Sequence, residues 1–356
     1  MKKIFQTLKL KNIACGYLYF YIHFVTEVAC FYFLSKVTNN SNFIWLVPLI
    51  YDGFAFVPQS IFGFINDKHP EIIFSIYGTA LMILAYLINF CTSINLFVSL
   101  IILCIGNAFI HVNGAETTLK ASNGKLSHSA IFVSGGSFGV VTGKLLATTF
   151  VPFWAIILLC FTAFPFILLA ETYKNEKSNT TSFDYAVSKK PMLVILLAVL
   201  VVIVRGYVGY GIPTSWNKTI PQLILFYIIM GIGKALGGIL SDAIGIRKVA
   251  VISTIVAIPF LCFGDNIMII SIIGIMMFSM TMAITLAILV SVLKKAPGLA
   301  FGLTTIGLFL GTAPIFFVKI TNFALNISVI ITMSILCCII LLAILRKEGK
   351  KDELSL

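Results

Sequence analysis

His23 and Glu27 stand four positions apart in the run IHFVTEVACFYFL, residues 22–34. Four positions is about one helical turn, so the imidazole and the carboxyl share a face of any helix formed here. The rest of the segment avoids water. Removal from water disfavours an ionised carboxyl, which makes Glu27 a candidate proton carrier. His23, one turn away, would relay the proton or tune the acid. The alternative is a structural pair that only ties helices together.

Other charges lie in equally apolar surroundings: Asp52 in LIYDGFAF, Lys144 in GGSFGVVTGK and Arg205 in VVIVRGYVGYG. A charge inside a bilayer costs at least a few kcal/mol, so each should face a cavity or another charge. At about 1.5 Å per residue, Glu27, Asp52, Lys144 and Arg205 fall about 15–25 Å from one end of their helices. That depth predicts a central cluster of two acids and two bases, with Asp52 paired to Arg205 or Lys144. Arg205 would bind an anionic substrate or lock an acid; Lys144 would line the cavity or snorkel outward. In GNAFIHVNGAETTLKAS, residues 106–122, His111, Asn113 and Glu116 are candidates for a gate or proton exit near a helix end. The plainer reading of Glu116 is a solvated pair with Lys120.

These residues need elements that hold them in lipid. The chain has 356 residues, of which 59% are hydrophobic and only 11% charged, against about a quarter charged in soluble domains. Apolar runs of about 20 residues read as spanning helices. They fall near 12–35, 43–65, 71–91, 95–117, 128–149, 152–171, 191–212, 219–240, 248–264, 267–292, 297–318 and 325–345. The expected fold class is all-α integral membrane, with twelve transmembrane helices. With the N-terminus placed in the cytoplasm, 19 of the 25 Lys and Arg fall in inside segments and three in outside loops, as the positive-inside rule requires. A multi-pass protein of the cell membrane with both termini cytoplasmic is expected. The net charge of +12 is then a topology signal, not a nucleic-acid footprint.

The eight cysteines and the four histidines (His23, His69, His111 and His128) are dispersed. They predict neither a metal site nor a catalytic constellation. The glycine-rich run before Lys144 lies within a spanning helix, so it is not a phosphate loop. No cofactor is expected.

The polar stretch 172–190 separates two sets of six spans. It predicts a first bundle over 1–171, a linker over 172–190 and a second bundle over 191–356. The second span ends with Gly63 and Asp67; the eighth ends with Gly238 and Asp242, 175 residues further on. A repeated Gly-x-x-x-Asp at matching helix ends indicates an internal duplication. The glycine admits a close neighbour, and the acid can accept bonds from the N-terminus of the next helix. Basic residues follow: Lys68 in the first copy, Arg247 and Lys248 in the second. The expected device is a charged clasp that opens and closes. Lys234, one turn before Gly238, is read as part of it. The glycines of the fifth span, Gly135, Gly136, Gly139 and Gly143, are expected against those of the eleventh, Gly298, Gly302, Gly307 and Gly311.

GFINDKHP and GGILSDAIGIRK at the clasp positions, with the 6+6 organisation, resemble the major facilitator superfamily. His23-x-x-x-Glu27, GNAFIHVNGAETTLKAS and FVSGGSFGVVTGKLLA resemble its fosmidomycin-resistance exporter branch. Glu27 stands where that branch has Asp, and Val112–Asn113 replaces its proline. The resemblance implies two pseudo-symmetric six-helix bundles, a central cavity and alternating access. It implies proton-coupled export of a small amphiphile or anion by a monomer in the lipid bilayer, with protons as the coupling ion. Uptake of a small metabolite is the alternative; a channel, receptor or membrane-embedded enzyme is a remote one.

Overall fold

The computed structural model describes residues 2–38, 46–91, 96–174, 190–318 and 320–345. Most of the expected linker, from 175 to 189, lies outside them. The described chain forms fourteen α-helices. The first half holds α1 (Lys2–Thr38), α2 (Leu46–Phe56), α3 (Gln59–Lys68), α4 (Phe74–Cys91), α5 (Leu96–Ala121), α6 (Ser127–Ala147), α7 (Phe153–Phe161) and α8 (Ala163–Glu171). The second holds α9 (Pro191–Gly211), α10 (Ile220–Ile244), α11 (Ile246–Phe263), α12 (Met268–Val292), α13 (Pro297–Thr312) and α14 (Phe323–Ile344).

Eleven stretches are long and apolar enough to cross a bilayer, and the remaining expected span is the shorter apolar helix Phe74–Asn89. Two spans are built from two helices each. Between α2 and α3 the break falls at Pro58, whose ring clashes with the carbonyl four residues back. Between α7 and α8 the cause is Pro165, which lacks the N–H that would bond the Phe161 carbonyl. Helix starts are written locally. Thr219 and Gln222 form a reciprocal capping box at α10, and Pro191 and Pro297 occupy the first turns of α9 and α13. Large apolar side chains such as Met192, Leu196 and Ile269 point outward, as lipid-facing surfaces require.

The halves meet chiefly along two helix pairs, α3 with α13 and α6 with α10, and α13 also packs on α5 and α2. The glycines of α6 do not lie against α13, contrary to the sequence expectation. Gly135, Gly139 and Gly143 press on the main-chain carbonyls of Phe20, Phe24 and Val28 in α1. Gly311 of α13 meets the Ile203 carbonyl in α9. Each glycine stripe thus brings its helix to backbone contact within its own half, where a Cβ would collide. Gly298 and Gly302 are different: they meet α3 across the junction between halves.

Buried polar groups are divided unevenly. Among the described residues, the buried Asp, Glu, His, Asn and Gln side chains all belong to the first half; in the second, the buried polar residues are Ser and Thr.

Candidate functional site

One turn of α1 and one turn of α5 carry the polar centre. His23 and Glu27 share a face of α1, and His111 projects from α5; each is about 6% exposed. The His23 and His111 Nε2 atoms are 2.8 Å apart. Glu27 Oε1 lies 3.4 Å from His111 Nε2 and 3.7 Å from His23 Nε2. Asn107, one turn before His111, donates to Glu27 Oε1 over 3.0 Å and lies 3.2 Å from the Tyr51 hydroxyl.

The tautomers follow from the partners. His23 Nδ1 is 2.9 Å from the Phe132 carbonyl, and His111 Nδ1 is 2.9 Å from the Asn107 carbonyl. A carbonyl only accepts, so each Nδ1 carries hydrogen and donates. The two Nε2 atoms and the carboxylate then present lone pairs to one another, and the 2.8 Å Nε2–Nε2 contact holds only with a proton or another cation between them. Three electron-rich atoms that converge in this way are a seat for a shared cation. Gly136 makes room for it, because a Cβ there would collide with the His23 imidazole. The rings pack on Phe132, and the His111 ring stacks at 6.3 Å on Phe301 of α13, in the opposite half. Lys234 of α10 lies within electrostatic reach of Glu27 and His111. Its charge is thus coupled to this centre, and it makes no ion pair with either clasp acid among the described residues.

The predicted cluster of two acids and two bases does not form. Asp52 is buried on α2, within electrostatic reach of Glu27, and has no hydrogen-bond or ion-pair partner among the described residues. Arg205 does not reach it. Its guanidinium stacks on the Phe278 ring, 4.5 Å to the centroid, and donates to the Phe278 carbonyl within the second half. Lys144 donates to the Tyr227 hydroxyl over 2.8 Å, bridging α6 and α10. Helical depth put the four charges at one level, but each helix is rotated so that they face different neighbours.

Asn113 is not a cavity residue. It accepts from the Ser75 N–H and donates to Thr117 and Glu171 between packed helices. Glu116 does pair with Lys120, yet it is fully buried instead of solvated. It also accepts from Asn66 of α3 and from Lys174. Neither Asn107 nor Asn66 is a candidate site residue by sequence; each lies one turn or less from one that is.

Both clasps form, with a different partner from the one expected. Asp67 accepts from the backbone N–H groups of Gly298 and Leu299 over 2.9 and 2.8 Å. Asp242 accepts from Leu126 and Ser127 over 2.8 and 2.9 Å. These N–H groups open α13 and α6, so each acid caps a helix of the opposite half, not the helix that follows it. An unpaired helix N-terminus carries partial positive charge, and these are the termini that lie alongside. Gly63 lies on the Gly298 carbonyl and Gly238 on Ala130 and the Leu126 carbonyl, which brings each acid into range. Arg247 and Lys248 make no ion pair with either acid among the described residues, so the clasp consists of carboxylate, glycine and helix end.

No protein-family model matches the chain, and no curated protein matches it. Solved structures do. The human organic anion transporter TETRAN superposes with a TM-score of 0.65 at 13% identity, over 93% of this chain and 97% of that one. The E. coli fucose:proton symporter gives 0.58 at 13% identity, over 93% and 97%. The transporter FucP in its outward conformation gives 0.53 at 16% identity, over 89% and 97%. The chain has the twelve-helix, two-bundle fold of the major facilitator transporters.

Proposed function

We propose that the protein is a secondary active transporter of the major facilitator superfamily that moves a small solute by alternating access. The observation that carries this reading is the matched pair of clasps. Two acids, on equivalent helices of two halves, each hold the N-terminus of a helix in the other half. Such contacts close one face and must be released together for that face to open. The halves are taken as 1–171 and 191–356, rocking about the central cluster. In keeping with the distribution of Lys and Arg, the clasp face is cytoplasmic, both termini lie there, and the membrane is the cell membrane.

The coupling ion is a proton and the direction export, a reading supported by the resemblance of α1, α5 and α6 to the fosmidomycin-resistance branch. Asp52 is the better seat for the exchangeable proton than Glu27. Glu27 is held as an acceptor by Asn107 between two imidazoles. Asp52 has no donor, and a buried carboxyl without one is stable when it carries a proton. Glu27 on α1, Cys104 on α5 and Tyr210 on α9 are the titratable groups within its reach.

Spin labels on the clasp ends of α3 and α12, in a background with the native cysteines replaced, test this by pulsed electron-electron distance measurement. Wild-type protein in nanodiscs should show a closed and an open population. Asp67→Asn together with Asp242→Asn should shift it towards open. A change in pH should redistribute the populations in the wild type and not in Asp52→Asn. One fixed distance, indifferent to the clasp variants, would overturn the proposal.

A further inference from the structure

We infer that His23, His111 and Glu27 form a binding site for a divalent transition-metal ion, and that such an ion is the cargo; this rests on the transport reading above. Two imidazoles and one carboxylate are a ligand set that zinc accepts, at bond lengths of about 2.0–2.1 Å. Tetrahedral bonds of that length separate neighbouring ligand atoms by about 3.3 Å. The three edges here are 2.8, 3.4 and 3.7 Å. Their mean is therefore that of one tetrahedral face; to seat the ion the two imidazoles must part by about half an ångström and His23 and Glu27 close by about 0.4 Å.

The outer shell is also in place. A metal-ligating histidine characteristically donates its second N–H to a carbonyl or carboxylate. Both histidines do so here, to Phe132 and Asn107, and Asn107 steadies Glu27 through its side chain. Three protein ligands leave the fourth position open, which suits an ion that must depart. The ligands are acceptors throughout, so the trio selects a cation and turns away the anion suggested by the resemblance.

The site's position makes the ion cargo and not a structural staple. All three ligands come from the first half, while Phe301 of the second half stacks on the His111 ring and the Lys234 charge of the second half acts on Glu27 and His111. Motion of the halves would uncover the site, and the Lys234 charge opposes the bound ion in the closed state, which favours release.

Zinc(II) titration of the purified full-length protein in nanodiscs should give one tight equivalent. X-ray absorption of that zinc-loaded wild-type protein should show two imidazole nitrogens and a carboxylate oxygen. Glu27→Gln and His111→Gln should each weaken zinc binding by more than about 100-fold, and Asn107→Ala by about 10-fold, as outer-shell losses do. Proteoliposomes under an imposed pH gradient should then move zinc across the membrane. Absence of a tight equivalent in wild-type protein, or zinc held without imidazole, overturns the site without recourse to any variant. Zinc bound as expected but never moved overturns its assignment as cargo. The spin-label distances are recorded without zinc, so alternation with no zinc binding refutes this inference and leaves the transport reading standing; zinc binding with immobile halves leaves the metal site standing and refutes the transport reading and, with it, the cargo assignment.

Discussion

The first and second clasps share one device and differ in what stands behind it. Asp67 and Asp242 each take two backbone N–H groups at the head of a helix in the other half. Behind Asp67, the adjacent Asn66 is fully buried and ties α3 to Glu116, which also holds Lys120 and Lys174. Behind Asp242, the equivalent residue Ser241 donates only to the carbonyl of Gly237 in its own helix. Asp242 itself is exposed, whereas Asp67 is half-buried. The loops differ as well. After α3 the chain runs through 69–73 before α4 begins; after α10 it turns at one residue, Gly245, whose φ of 96° suits glycine and strains other residues. The two copies therefore share the acid-to-helix contact and differ in its support. One clasp is anchored in a charged network of its bundle, and the other is a free helix end that water reaches.

That difference can be broken at its root. Glu116→Ala removes the acceptor shared by Lys120, Lys174 and Asn66, leaving two partly buried cations without it. Losing one partner of a buried pair costs about 3–5 kcal/mol. Thermal unfolding in detergent should show a large fall, and Asp242→Ala a much smaller one. Equal losses would mean that the network lends the first clasp nothing.

A smaller effect is expected at the glycines, where the copies should behave alike. An added methyl at Gly63 meets the Gly298 carbonyl and at Gly238 the Ala130 side chain and Leu126 carbonyl. Overpacking of this kind costs about 1–3 kcal/mol. Gly63→Ala and Gly238→Ala should each enlarge the open population seen by spin labels. A variant that stays closed would show that its half can yield without parting.

The smallest effect should come from the basic residues after each acid. Lys68 lies over the Phe64 ring at 4.2 Å, and neither it nor Arg247 pairs with the clasp acids among the described residues. Surface changes away from such contacts fall within about 0.5 kcal/mol. Lys68→Ala and Arg247→Ala should therefore leave the distance distribution unchanged. A shift in either would restore the charged clasp that the sequence suggested.

Much of the architecture was legible in the sequence because lipid imposes one-dimensional rules. Each span must satisfy its own backbone and offer about 20 apolar residues, so the helices could be counted along the chain. The repeat of Gly63–Asp67 at Gly238–Asp242 was legible for the same reason, and so was the His23–Glu27 face, since helical period alone sets it. What the sequence could not supply was rotation about each helix axis and the choice of neighbour. Both depend on contacts between residues far apart in the chain. His111 stands 88 positions from His23 and reads as a helix-end residue until packing turns it onto Glu27. Arg205 and Asp52 share a depth, but α9 turns the guanidinium into its own half. The partner of each clasp acid lies more than a hundred positions away. Composition and periodicity determined a duplicated twelve-helix membrane protein with ionisable groups inside it. Only tertiary structure decided which of those groups meet, because burial leaves each of them to be satisfied by whatever neighbour the packing supplies.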